Sequence, residues 1–155
     1  MRHILAFPAP LTLCFFLAAG CAPNASSDIS TSRGDAYVAG MEKVSDMRGF
    51  IVRLEESRPV PVYIGLHTWT LSIRTPSGTP VSQAAVRAEP MMLSHGHGTT
   101  PPLTFARESA SQIGQYALED LDLFMPGLWT VFITIETEDE VTDVVEFAFE
   151  LGVAD

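Results

Sequence analysis

The chain has 155 residues, with nine Lys and Arg against nineteen Asp and Glu, and a formal charge of −10. That balance argues against nucleic acid as a partner, because gripping a phosphate backbone needs a basic patch that displaces counterions. Two cysteines, Cys14 and Cys21, set a low ceiling on disulfide and thiolate chemistry.

Met1-Arg2-His3 forms a short positive start, and Ile4 to Leu17 follows without a charge, rich in Leu, Phe and Ala. This is the pattern of a signal peptide, residues 1–20. A membrane-spanning helix needs ~20 apolar residues, whereas this run is shorter and holds Pro8 and Pro10. A cleaved export signal is therefore expected. The run ends in Leu17-Ala18-Ala19-Gly20-Cys21, which resembles a bacterial lipobox, with small residues for the signal peptidase and a thiol that takes the diacylglycerol. An ordinary A-x-A cleavage beside an incidental Cys is the alternative. Lipidation at Cys21, with palmitate-type chains buried at ~0.8 kcal/mol per methylene, supports stable anchoring. The membrane is then the first partner. The expected location is the cell envelope, on the periplasmic face of a membrane, and Ala22 rather than Asp after the Cys favours the outer membrane. Acylation also leaves the mature protein without a free thiol, so any metal site must draw on His, Met, Asp or Glu.

Residues 21–48 read as the lipidated Cys and a flexible tether, poorest in bulky apolar residues from Ala22 to roughly Gly40. The folded domain is expected over 49–155, where the periodicity becomes two. Phe50, Val52 and Leu54 share a face, as do His67, Trp69, Leu71 and Ile73. After the turn-forming Pro76-Ser77-Gly78-Thr79-Pro80 come Ala84, Val86 and Ala88, then a short strand at Gln115 to Leu118. Trp129, Val131, Ile133 and Ile135 alternate next, then Val145, Phe147, Phe149 and Leu151. Ser109 to Ile113 suits a single turn. The expected fold is all-β: an immunoglobulin-like antiparallel β-sandwich of about seven strands, with a small barrel as the alternative. Glu136, Glu138, Asp139, Glu140, Asp143, Glu146 and Glu150, with no Lys or Arg after Arg107, read as a solvated face.

Three stretches carry possible chemistry. In Met91-Met92-Leu93-Ser94-His95-Gly96-His97-Gly98, two glycines free a loop to bring two imidazoles together. His67 shares the inward face of Trp69, near one end of the sandwich. Phe124-Met125-Pro126-Gly127-Leu128-Trp129 places a thioether just before a strand. Should these loops meet where His67 sits, imidazoles and thioethers converge. Thioether favours Cu(I), imidazole binds Cu(I), Cu(II) and zinc, and zinc would need three or four His or acidic ligands. The plainer alternatives are Met as core filler, His-Gly-His as a turn, and Met125 against Trp129 as a sulfur–aromatic contact.

Taken in order, Leu66-His67-Thr68-Trp69, the turn at 76–81 with Ala84-Ala85-Val86, the Met-x-x-x-His-Gly-His-Gly run, Gly114-Gln115-Tyr116 and Phe124-Met125-Pro126-Gly127-Leu128-Trp129 resemble the FixH-like or YtkA-like family of small bacterial envelope proteins. The likeness covers about Gly65 to Leu151. It implies an immunoglobulin-like sandwich and a role in copper handling, some relatives being linked to cytochrome oxidase assembly. Carried over position by position, the implied metal ligands are His67, His95, His97 and Met125, with Met91 or Met92 in reserve. The chain departs from the family's usual Met-Pro-x-His-Gly-His-Gly, since Met91 is followed by Met92, and Leu93-Ser94 precede His95. The expected function is a copper carrier, buffer or oxidase-assembly accessory, whose envelope partner is a copper acceptor or a respiratory complex. The alternative is a non-metal interaction or assembly module tethered to the membrane. An enzyme is not expected: Ser94 beside His95 is no triad, and neither a nucleophile elbow nor a paired-carboxylate motif is present.

Overall fold

Alternating apolar and polar side chains make a strand with one buried face, and such strands, paired antiparallel, bury those faces against a second sheet. The computed structural model describes residues 34–60 and 62–152. Ten strands follow in chain order: β1 (Met41–Val44), β2 (Ile51–Arg58), β3 (Gly65–Arg74), β4 (Ala85–Met92), β5 (His97–Gly98), β6 (Thr104–Phe105), β7 (Arg107–Glu108), β8 (Gln115–Leu123), β9 (Gly127–Glu136) and β10 (Thr142–Leu151). Three of them, β5, β6 and β7, have only two residues, so seven carry the fold. All pairings are antiparallel, in one sheet of order β1-β2-β3-β8-β7 and another of order β10-β9-β4-β5, with β6 also on β4. This is the all-β sandwich that the alternation predicts.

The core lies between the sheets and holds the predicted inward residues, among them Val52, Leu54, Trp69, Leu71, Ile133, Val145 and Phe147. Trp69 bridges the sheets, its ring edge-on to Phe147 and Phe149 at 6.1 and 5.6 Å. Its indole nitrogen is buried with no hydrogen-bond partner among the described residues.

The signal peptide, Cys21 and the first part of the tether lie outside the described residues. The rest of the tether does not behave as one: β1 falls inside 21–48 and pairs with β2 from Met41↔Leu54 to Val44↔Ile51. The domain therefore begins before residue 49. Just upstream, the Asp35 backbone N–H donates to the Ala148 carbonyl, and the Asp35 carboxylate accepts from the Ala148 N–H and the Lys43 ammonium. Two further boundaries shift. The strand expected at Gln115 to Leu118 runs on to Leu123, through Asp120 in a left-handed conformation (φ 58°). The expected 91–98 loop is a hairpin, with only residues 93–96 outside β4 and β5.

The registers define two ends. Leu151 pairs with Gly127, Thr130 with Met91, Met92 with His97, and Gly65 with Leu123. Residues 59–60 and 62–64 and the segments 93–96 and 124–126 therefore share one end, here termed the imidazole end. At the opposite, carboxylate end, Asp143 pairs with Ile135, and Ile135 with Val86.

Candidate functional site at the imidazole end

The 93–96 turn closes because the backbone N–H groups of His95 and Gly96 both reach the Met92 carbonyl, at 2.9 Å each, and Gly96 takes up the left-handed φ of 70° that a side chain would resist. This folds His95 back on His97, and the ring centroids stand 5.7 Å apart. His95 is exposed and His97 half-buried.

His97 pairs with Met92, so it shares the inward face of β4 and reaches the aromatic residues there. Its ring stacks on Phe124 at 6.1 Å and 24°, and meets the edge of Trp129 at 6.5 Å. Phe124 and Trp129 contact each other at 5.4 Å. The Trp129 indole N–H donates to the Met125 carbonyl at 2.9 Å, which fastens the 124–126 loop beside the imidazoles. Met125 is half-buried and packs on the core. Among the described residues the only polar contact of a His97 ring nitrogen is a 3.3 Å approach of Nδ1 to the Gly98 carbonyl, one residue along.

The remaining predicted ligands have other surroundings. Met92 is fully buried, its methyl filling the space that a side chain at Gly127 would occupy, 2.5 Å from an ideal Cβ there. Met91 pairs with Gly98, and its sulfur lies 2.7 Å from where a Gly98 Cβ would stand. Alternation puts Met91 on the outer face of the sheet, opposite to His97. His67 points inward, as its alternation with Trp69 predicts, and is 1 % exposed. Its Nε2 lies 2.6 Å from the Tyr63 carbonyl, which can only accept, so Nε2 carries the proton. Nδ1 faces the Ser57 hydroxyl at 3.4 Å. Burial pushes the His67 imidazole below its ordinary value, with the Tyr63 carbonyl and the Asp122 charge drawing it partly back. His67 thus ties Ser57 to Tyr63, with both nitrogens engaged.

The structure therefore brings the His95 and His97 rings together, sets His97 against Phe124 and Trp129, ties the Met125 backbone to Trp129, and sets His67 and Met92 into the packing. Among the described residues no group of three or more His, Cys, Asp or Glu is placed to hold a metal ion. A metal at this end would draw on the two imidazoles, borderline donors that accept Cu(I), Cu(II) and zinc.

Asp143 contributes where the sequence suggests only a solvated face. Buried at the carboxylate end, it accepts from Ser45 Oγ at 2.6 Å, from the N–H groups of Met47 and Gly49 at 3.0 Å each, and from its neighbour Val144 at 2.8 Å. Burial pushes its carboxyl up, and these hydrogen bonds together outweigh that and hold it below the ordinary carboxylate value. Three of its four donors come from residues more than ninety positions earlier, so no local pattern points to it.

The sequence model of the YtkA-like family matches residues 44–134, which span β2, β3, β4 and β8, the His95–His97 turn and the Met125 loop. No curated protein and no solved structure matches the chain.

Proposed function

The chain belongs to the YtkA-like family, and from that membership we propose that it is a lipid-anchored cell-envelope protein that binds copper through His95, His97 and Met125 and carries, buffers or delivers it. The observation that carries this reading is the meeting of the His95 and His97 rings at 5.7 Å, with the Met125 loop fastened beside them. Two imidazoles supply borderline donors and the thioether a soft one, the combination that holds Cu(I) where no thiol competes. Phe124 and Trp129 wall the inner side of the pair. Such a wall limits water and oxidant access to a bound cuprous ion.

The reading is of a binding protein rather than an enzyme.

A titration of the soluble domain with Cu(I) against a competing chelator, and separately with Cu(II) and zinc, tests the proposal. Wild-type protein is expected to retain Cu(I) at chelator levels that strip a His95→Ala/His97→Ala variant. Equal retention by the two proteins would overturn it. The second reading, a non-metal interaction module, draws support from Leu93 and Phe124, which stand exposed beside the imidazoles. The same titration separates the two readings.

A further inference from the structure

We propose that the imidazole end of the sandwich faces, and seats in, the interfacial zone of the bilayer that holds the lipid on Cys21. This rests on the lipid-anchor part of the proposed function and not on copper.

The first support is the direction in which the chain enters the domain. Asp35 hydrogen-bonds to Ala148, and Gly34 lies against Glu150, whose nitrogen is 2.5 Å from an ideal Cβ at Gly34. Followed backwards, the chain climbs β10 towards Leu151, which pairs with Gly127 at the imidazole end. Gly34 stands thirteen residues after Cys21. Thirteen residues reach at most ~45 Å when fully extended. The carboxylate end lies ~34 Å further off, the length of a ten-residue strand such as β10. Presenting that end to the membrane would use up most of that reach.

The second support is the chemistry of the two ends. Segments 59–64, 93–96 and 124–126 contain no Asp, Glu, Lys or Arg. They expose Val60, Tyr63, Leu93 and Phe124 by 60, 48, 62 and 46 %. Aromatic and aliphatic side chains on these segments, with the cationic Arg58 exposed beside them, suit the headgroup boundary, where a tyrosine keeps its hydroxyl wet and its ring buried. The β9–β10 hairpin at the other end carries Glu138, Asp139 and Glu140, which an anionic leaflet repels. Chain direction and charge thus select the same end. The His95–His97 turn then works at the membrane surface, and a partner that exchanges a ligand with it is one embedded in that membrane.

The test uses the full, lipidated chain in vesicles of phosphatidylethanolamine and phosphatidylglycerol containing headgroup-nitroxide lipid. One dye is placed at Leu93→Cys and, in a separate protein, at Asp139→Cys, with Val60→Cys as a second reporter of the same end should Leu93→Cys fail to fold. Interfacial side chains sink ~5–10 Å into the headgroup region, so quenching about threefold or more stronger at 93 and 60 than at 139 is expected. Phe124→Glu together with Leu93→Glu, read at Val60→Cys, should remove the difference while the protein still floats with the vesicles. Equal or reversed quenching in a chain that floats overturns the orientation and leaves the anchor standing. A chain that does not float overturns the anchor and the orientation with it. Protection of position 93 only when membrane proteins are added back makes a protein the occupant and overturns seating in lipid.

Discussion

Asp143 and His97 lie at opposite ends of the same sheet, and their polar surroundings differ sharply. Asp143 is buried and accepts four hydrogen bonds, three of them from the 45–49 segment. Among the described residues His97 has one ring-nitrogen contact, to its neighbour's carbonyl, and otherwise touches rings. A buried charge survives only when its lone pairs are filled, so Asp143 is committed to the fold. A half-exposed imidazole among aromatic faces has coordination capacity left over. His67, with both nitrogens engaged, is a histidine of the Asp143 kind. The comparison separates polar residues that hold the scaffold from those that remain free to act.

The largest expected effect is at Asp143. Asp143→Ala takes an acceptor from three backbone N–H groups and from the Ser45 hydroxyl, which keeps the Phe50 carbonyl, and should cost about 3 kcal/mol in urea denaturation, with Cu(I) retention unchanged. A loss under about 1 kcal/mol would show that water replaces the carboxylate and would break the distinction.

Next come the two tryptophans. The Trp129 N–H is bonded to the Met125 carbonyl, whereas the Trp69 N–H is buried without a partner among the described residues. Both Phe substitutions lose ring volume, but only Trp129→Phe loses a hydrogen bond, and Trp69→Phe removes an unsatisfied donor. Trp129→Phe should therefore be the costlier by about 1 to 2 kcal/mol, and it should weaken Cu(I) retention as the Met125 loop loosens. Equal costs would mean that the loop does not depend on that bond.

A smaller effect follows from His67. Its folded-state value is lowered, chiefly by burial, so between the folded and unfolded values the unfolded chain binds the extra proton. The stability it contributes is complete above the unfolded value of ~6.5 and is lost as pH falls towards the folded one. Urea midpoints should begin to decline as pH falls through about 6.5, and His67→Asn should flatten that decline. Asp143 also has a lowered value, and its contribution begins to be lost only as pH falls through the carboxylate range of ~3.9, so its decline sets in at lower pH than that of His67.

The smallest effect is expected at the site itself. His95→Ala/His97→Ala should shift stability by no more than about 0.5 kcal/mol. A larger loss would move these imidazoles into the class of His67.

Much of this was legible in the sequence because it is written in local periods. The alternation through His67 to Ile73, Trp129 to Ile135 and Val145 to Leu151 predicts strands and their inward faces, and the turn between His95 and His97 follows from Gly96. What escaped depends on partners far along the chain. In Met41-Glu42-Lys43-Val44 no residue is fully buried, so only pairing with β2 makes it a strand. β8 crosses Glu119-Asp120 by a left-handed residue, which alternation does not anticipate. Asp143 looks like its acidic neighbours until the 45–49 segment folds over it. The inward direction of His67 was readable from its period, but its two hydrogen-bond partners were not. The separation of Met91 from His97 appears only once Met92↔His97 fixes the register of the hairpin.

The contact of Asp35 with Ala148 has a mechanical side. A pull on the chain from its N-terminal side runs along β10, so it loads the Asp35–Ala148 bonds in shear instead of peeling them open one at a time. The Lys43 ammonium on the Asp35 carboxylate ties that point to β1, and tension is thereby shared between both sheets before it reaches the strands that carry the imidazoles.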